Sequence, residues 1–100
     1  MATKRLAPVH PGEVLAEEFL APLRLTQYRL AKVLKVPARR INEIVHGTRA
    51  VSADTALRLA RYFGTSARFW MNLQAAYDLD VQEDRLGARL AREVIVRRAS

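Results

Sequence analysis

Arg39 and Asn42 stand three residues apart, with Glu43 directly after them and Gln27 earlier in the chain. Arginine pairs with guanine, and asparagine with adenine, through two hydrogen bonds at the base edge in the major groove. At a spacing of three the two side chains share one face of a helix. Ala38, Arg39, Asn42 and Glu43 therefore form a candidate base-reading set. Around it lie groups suited to phosphate: Thr26, Gln27, Arg40, His46, Thr48 and Arg49. Gln27 would open a helix, where its amide can act together with exposed backbone N–H groups. Other chemistry finds little support. The histidines, His10 and His46, are too far apart in sequence for a helical metal pair. Glu17 and Glu18 are adjacent and so diverge on a helix. Asp54 and Asp78 have no nucleophile or glycine-rich phosphate loop to serve. His10 reads as the residue before a helix, and His46 as a phosphate or helix-end contact. Neither a cofactor, a metal nor an enzymatic reaction is expected.

Short helices would position this set. Gly12 to Leu20 forms the first, with Leu15 and Phe19 on one face and acids in its early turns, and Pro22 is expected to end it. Thr26 caps the second, which points Leu30, Ala31 and Leu34 inward. A turn at Lys35 and Val36 follows. Pro37 opens the third, whose apolar stripe is Ile41, Ile44 and Val45, and Gly47 stops it. Ser52 caps a fourth helix bearing Ala56, Leu59, Ala60 and Phe63, closed by Gly64. Ser66 caps a fifth. A last helix is expected from about Val81 to Arg98, with Leu86, Leu90 and Val94 four apart. There is no alternating strand pattern. The expected fold is all-α, a compact bundle of five to six short helices. Residues 1–9 would be an N-terminal arm, 10–79 a helix-turn-helix domain, and 80–100 a C-terminal helix suited to dimerisation.

Two short helices joined by a tight turn are a helix-turn-helix candidate. Ala31 is small where the helices approach, and Val36, Ile41 and Ile44 fill the space between them. A plain helical hairpin with a solvated outer face is the alternative, and charge argues against it. Lys and Arg number 17 and Asp and Glu 10, a net +7. The segment from Arg24 to Arg49 holds seven basic residues and one acid, so it carries +6 of that sum. Such a concentrated positive field suits a phosphate surface. Lys35 breaks a local rule, because this turn position often needs positive φ and favours glycine. With no cysteine among 100 residues, a disulfide framework is excluded. No apolar run reaches membrane-spanning length, and the N-terminus lacks a signal-like stretch, so a cytoplasmic protein is expected.

Four segments carry a family resemblance: His10 to Phe19 (HPGEVLAEEF), Arg40 to Gly47 (RINEIVHG), Ser52 to Gly64 (SADTALRLARYFG) and Phe69 to Leu79 (FWMNLQAAYDL). The chain resembles the HigA antitoxins, within the phage-repressor-like helix-turn-helix class. The resemblance covers residues 10–79; it departs from the family pattern at Lys35, usually glycine, and Pro37, usually Ser or Thr. It implies a five-helix core and a homodimer that represses its own operon. It also implies a cognate HigB-like toxin, a ribosome-dependent mRNA endonuclease that the antitoxin neutralises. A stand-alone repressor would use the same DNA chemistry without that partner.

One recognition helix reads few base pairs, so a two-fold dimer on palindromic double-stranded operator DNA is expected, its third helices ~34 Å apart. Phe69 and Leu73 are expected in the core. Trp70, Tyr77, Leu86, Leu90 and Val94 supply the candidate dimer contact. Toxins that act on RNA are basic, so acids outside the DNA-binding stretch are candidate toxin contacts. Glu17 and Glu18 on the first helix are favoured over Asp78, Asp80, Glu83 and Asp84, taken as a junction before the last helix.

Overall fold

The computed structural model describes residues 7–98; of the expected arm, residues 1–6 lie outside them. Among the described residues there are six helices and no strand. Helix α1 is assembled from Pro11–Val14, a π-helical stretch Leu15–Leu20 and Ala21–Leu23. Helices α2, Gln27–Leu34, and α3, Ala38–Val45, form the helix-turn-helix. They are followed by α4, Ala53–Phe63, α5, Ala67–Leu86, and α6, Arg89–Glu93.

Caps fix the boundaries. Thr26, Ser52 and Ser66 each accept a backbone N–H two or three residues into their helices, from Arg29, Thr55 and Phe69. His10 does the same for α1, its Nδ1 accepting from the Gly12 N–H at 2.9 Å. Pro22 does not end α1 as expected. The helix winds more widely before it, with the Ala21 N–H bonded back to Ala16. That spacing tolerates a residue with no N–H and relieves the clash of its ring with the preceding turn. Arg24 ends the helix instead, at φ 53°. Three helices then close alike, with a six-to-one bond across a left-handed residue: Leu25 N–H to Leu20 O, Val36 to Ala31, and Thr48 to Glu43. Glycine occupies the left-handed position only in the third, Gly47; Arg24 and Lys35 hold it in the others. Pro37 is the residue before α3, not its first residue.

The core gathers one stripe from each helix. Leu15 and Leu20 come from α1, Leu30, Ala31 and Leu34 from α2, and Ile41 and Ile44 from α3. Val51, Ala56 and Leu59 complete it with Trp70. Helix α1 lies against α3 at closest range, because Gly12 packs directly on the backbone of Ile44 and Val45. Phe19 stacks on Phe63 at 4.8 Å and on Trp70 at 5.0 Å, tying α1, α4 and α5 together.

Two expectations about the C-terminal half fail. Trp70 is not at a subunit surface; it is fully buried, its Nε1 donating to Thr65 Oγ1 at 2.8 Å. Phe69 is the exposed member of the pair, at 38%, while Leu73 packs partly against the core. One residue rotates ~100° around a helix, so an inward Trp70 with Gln74 one turn on turns Phe69 outward. There is also no separate helix from Val81 to Arg98. Helix α5 runs unbroken to Leu86, so the boundary expected near residue 80 falls inside it, and Asp78, Asp80, Glu83 and Asp84 ride its last turns. Gly87, at positive φ, makes the break, and α6 ends at Glu93 with Val94 in an extended conformation.

Candidate nucleic-acid interface

The turn and the loops around α3 determine what its outer face can present. Ile41 and Ile44 are fully buried, which commits the opposite side of the helix to solvent. Arg39 is the most open of the candidates, its side chain 84% exposed. Asn42 and Glu43 are half-buried beside it, and Ala38 is half-buried at the helix start, packed partly on the core. The Lys35 turn bears the positive φ its position demands, 61°.

The candidate residues hold one another. Glu43 accepts from Arg39 Nε at 2.9 Å and from Arg49 Nε at 2.8 Å. These two hydrogen bonds hold its carboxyl below the usual range, and Glu43 in turn raises Arg39. Asn42 Nδ2 donates to Gln27 Oε1 at 2.6 Å, so the start of α2 is bound to the face of α3. Arg40 does not reach out alone; it bonds Asp54 at 2.7 Å. His46 Nδ1 lies 2.7 Å from the Asn42 carbonyl, and Thr48 Oγ1 donates to the Glu43 carbonyl at 3.2 Å, so both close the C-terminal end of α3. Thr26 Oγ1 is engaged as a cap. Exposed ion pairs of this kind contribute little to stability and are easily exchanged for a better partner such as phosphate. The structure thus brings together Gln27, Ala38, Arg39, Arg40, Asn42, Glu43, His46, Thr48 and Arg49 around α3.

The loop carrying Thr48 and Arg49 is pinned from beneath. Gln74, buried at 6%, accepts the Val51 N–H at 2.8 Å and donates to Asp78 at 2.9 Å. The His10 ring sits against Gly47 and meets Tyr77 edge-on at 4.8 Å. Burial lowers the His10 pKa, against upward pulls from Asp78 and the Arg49 backbone. Glu17 and Glu18 are exposed on α1. Among the described residues no group of three His, Asp or Glu side chains is placed to hold a metal, and no helix is long and apolar enough to cross a membrane.

A helix-turn-helix family profile matches residues 17–70. Virulence-associated protein I of Dichelobacter nodosus is 56% identical over 75% of this chain and 69% of its own length. An addiction module antidote protein of a HigA family from Coxiella burnetii superposes with a TM-score of 0.88 at 43% identity, over 92% of this chain and 100% of that one. The chain belongs to the HigA family of helix-turn-helix proteins. Its likeness extends to the Pseudomonas aeruginosa antitoxin HigA, solved with the higBA promoter, at a TM-score of 0.85 and 47% identity, over 87% of this chain and 95% of that one. The chain spans about two thirds of the length of the curated relatives it matches, 69% of the first and 64% of the next.

In this HigA-family chain three supporting residues escaped the sequence reading. Arg58 bonds Asp54 at 3.0 Å and the Leu34 carbonyl at 2.9 Å, so it closes α2 and orients Arg40 through Asp54. Asp54 is held below the usual carboxylate range by Arg58 first and Arg40 second. The four-residue spacing of Asp54 and Arg58 was a visible signal. Gln74 had none beyond being polar on an inward position.

Proposed function

We propose that this protein is the antitoxin of a toxin–antitoxin module. It binds palindromic operator DNA as a homodimer, represses its own operon, and neutralises a HigB-like mRNA endonuclease toxin. The observation that carries the DNA reading is Arg39, almost fully open on a rigidly seated helix, in a segment holding +6 of the net +7 charge. Ala38, Arg39, Asn42 and Glu43 face the base edges, and Thr26, Gln27, Arg40, His46, Thr48 and Arg49 the backbone. On DNA the Glu43 and Asn42 pairings are exchanged for contacts to bases and phosphates. The role is one of binding and asks for no catalytic group, cofactor or metal. A regulator of its own operon works beside the chromosome, in the cytoplasm.

Tyr77, half-buried, and Leu86, Leu90 and Val94 belong to the dimer contact; Trp70 does not. Glu17 and Glu18 form the acidic surface offered to a basic toxin. Domain organisation follows the same roles: 10–79 reads DNA, and the chain beyond it, from the outer half of α5 onward, joins the two copies.

Operator footprinting and salt titration test this reading. Arg49→Ala should weaken all DNA sequences alike and reduce the slope of log affinity against log salt by about one. An unchanged slope removes Arg49 from the backbone contacts. Co-expression with the adjacent toxin gene tests the second half: the chain should rescue growth, and Glu17→Lys with Glu18→Lys should lose the complex at moderate salt. Operator binding without rescue reduces the protein to a stand-alone repressor.

A further inference from the structure

Thr48 and Arg49 are exposed on the irregular loop 46–52 that joins α3 to α4. A long side chain on such a loop must be ordered before it can hold a phosphate, and that ordering costs affinity. The entry of the loop is closed by α3 itself, with the Gly47 and Thr48 N–H groups bonded to the Ile44 and Glu43 carbonyls. Its exit is held by a different helix. Val51, 2% exposed, donates its N–H to Gln74 Oε1 at 2.8 Å, across 23 residues of chain. The chemistry fixes which way the Gln74 amide points. An N–H needs an acceptor, so the oxygen must face Val51, and Nε2 is left to donate to Asp78 Oδ1 at 2.9 Å. A buried amide is costly unless both of its ends are bonded. Here one end takes hold of the loop and the other is anchored one turn along α5. On the opposite side the His10 ring lies against Gly47 at the start of the loop, and meets Tyr77, the neighbour of Asp78, edge-on.

We propose that Gln74 and Asp78 are positioning residues for DNA binding: by fixing the exit of the loop two residues beyond Arg49, they aim the Arg49 guanidinium at the phosphate backbone. The proposal rests on the reading of Arg49 as a backbone contact and says what makes that contact effective. Neither residue lies on α3 or touches the base-reading set. Their effect is therefore on the sequence-independent part of binding, which phosphate contacts supply, and not on discrimination between bases. In the free chain the same hold sets Arg49 Nε 2.8 Å from Glu43. The arginine is thus already ordered over α3 when DNA arrives, and exchanging a carboxylate for a phosphate asks for little further ordering.

The test titrates full-length variants with a duplex carrying the operator footprinted upstream of the protein's own gene, and with single-base variants of that duplex, over a range of salt. Gln74→Met keeps length and apolar bulk and removes both hydrogen bonds. It should bind the operator about three- to tenfold more weakly, and lower the salt slope towards that of Arg49→Ala. The affinity ratio between the operator and its single-base variants should stay as in the parent. In an Arg49→Ala background, Gln74→Met should weaken binding by less than about twofold further, because there is no guanidinium left to aim. Asp78→Ala, at an exposed position, frees the amide without emptying the core. It should shift the slope the same way but less, and it carries the test if Gln74→Met does not fold. Gln74→Glu with Asp78→Asn reverses the side-chain bond and keeps an acceptor for the Val51 N–H, so it should restore parental affinity and slope. Gln74→Glu alone, at about pH 8 where both carboxyls are ionised, should not. Equal losses from Gln74→Met with and without Arg49, or flattened base discrimination, make Gln74 a packing residue and overturn the proposal. A slope lowered by Arg49→Ala but parental in Gln74→Met and Asp78→Ala overturns the positioning alone. An unchanged slope in Arg49→Ala overturns the backbone contact and the positioning with it.

Discussion

The helix-turn-helix and the C-terminal segment are both rich in apolar residues, yet they treat them oppositely. Ile41 and Ile44 of α3 are fully buried, whereas Leu79, Leu90 and the residues from Val94 to Val96 are exposed, Leu90 least at 47%. The molecule is correspondingly long, 55 × 32 × 22 Å, with a radius of gyration of 17.0 Å, against about 13 Å for a compact chain of this size. Hydrophobicity alone does not bury a side chain; a facing surface must exist in the same chain. For α3 that surface is supplied chiefly by α1 and α2. For Leu79, Leu90 and Val94 to Val96 the described chain offers no such cover. The same contrast separates stability from assembly: changes in the first region should unfold the protomer, and changes in the second should only separate protomers.

The sharpest break in that contrast is Gly12→Ala. A Cβ at this position would fall inside the Ile44 carbonyl, which is backbone and cannot turn aside. Helices α1 and α3 would have to part, at a cost of at least ~3 kcal/mol. Val96→Ser, on a residue 86% exposed, should change protomer stability by less than ~0.5 kcal/mol while weakening the dimer. Urea unfolding of both variants at a concentration where the chain is monomeric tests the pair, and equal losses would erase the distinction.

Next comes the outer face of α3. Arg39→Ala should weaken operator binding about 10- to 100-fold and flatten discrimination at one base position, with no change in the urea midpoint. Binding like the parent at every operator variant would show that Arg39 does not read a base.

Most of the first region could be read from the chain. The caps Thr26, Ser52 and Ser66 are local, and the periodicities of Ile41, Ile44, Leu59 and Leu30 follow from neighbours a turn away. What could not be read depends on partners distant in sequence. A proline such as Pro22 usually ends a helix, and only a wide turn upstream lets this one continue. Trp70 and Phe69 are equally apolar neighbours, so which one faces inward depends on how α5 is rotated against Phe19 and Phe63. The ring of contacts around Glu43 joins residues whose types were plain, but whose mutual engagement comes from the loop that swings Arg49 back over α3. The last helix failed because Leu86, Leu90 and Val94 keep a helical spacing across Gly87, which breaks it.

A smaller effect is expected at the turn. Lys35 holds a left-handed conformation at φ 61° that costs a side-chain-bearing residue about 1 kcal/mol relative to glycine. Lys35→Gly should recover about that much stability, less the added freedom of the unfolded chain. It should also lower the salt slope of DNA binding if the lysine charge lies near phosphate. A stabilised variant with an unchanged slope would mean that the lysine serves neither stability nor DNA binding.

The smallest effect is in pH. His10 caps α1 with an unprotonated Nδ1, and burial holds its pKa below 6.5. Between that lowered value and about 6.5 the unfolded chain binds more protons than the folded one, so stability rises with pH there. Read downward, stability is complete above about 6.5, falls as pH drops through the window, and levels once the folded ring also takes a proton. Glu43 and Asp54 are also lowered, from 4.5 and 3.8, but their contribution is present above those values and is lost only as pH falls further. A decline between pH 7 and 5.5 therefore isolates the histidine. His10→Asn keeps an acceptor for the Gly12 N–H and removes the titration. Its Tm should be flat across that interval, where the parent's falls. Because the His10 ring also lies against Gly47, beside the loop of Thr48 and Arg49, operator affinity of the parent should decline with the same midpoint. A parent whose Tm and affinity are as flat as the variant's would leave the cap in place but remove any role for its protonation.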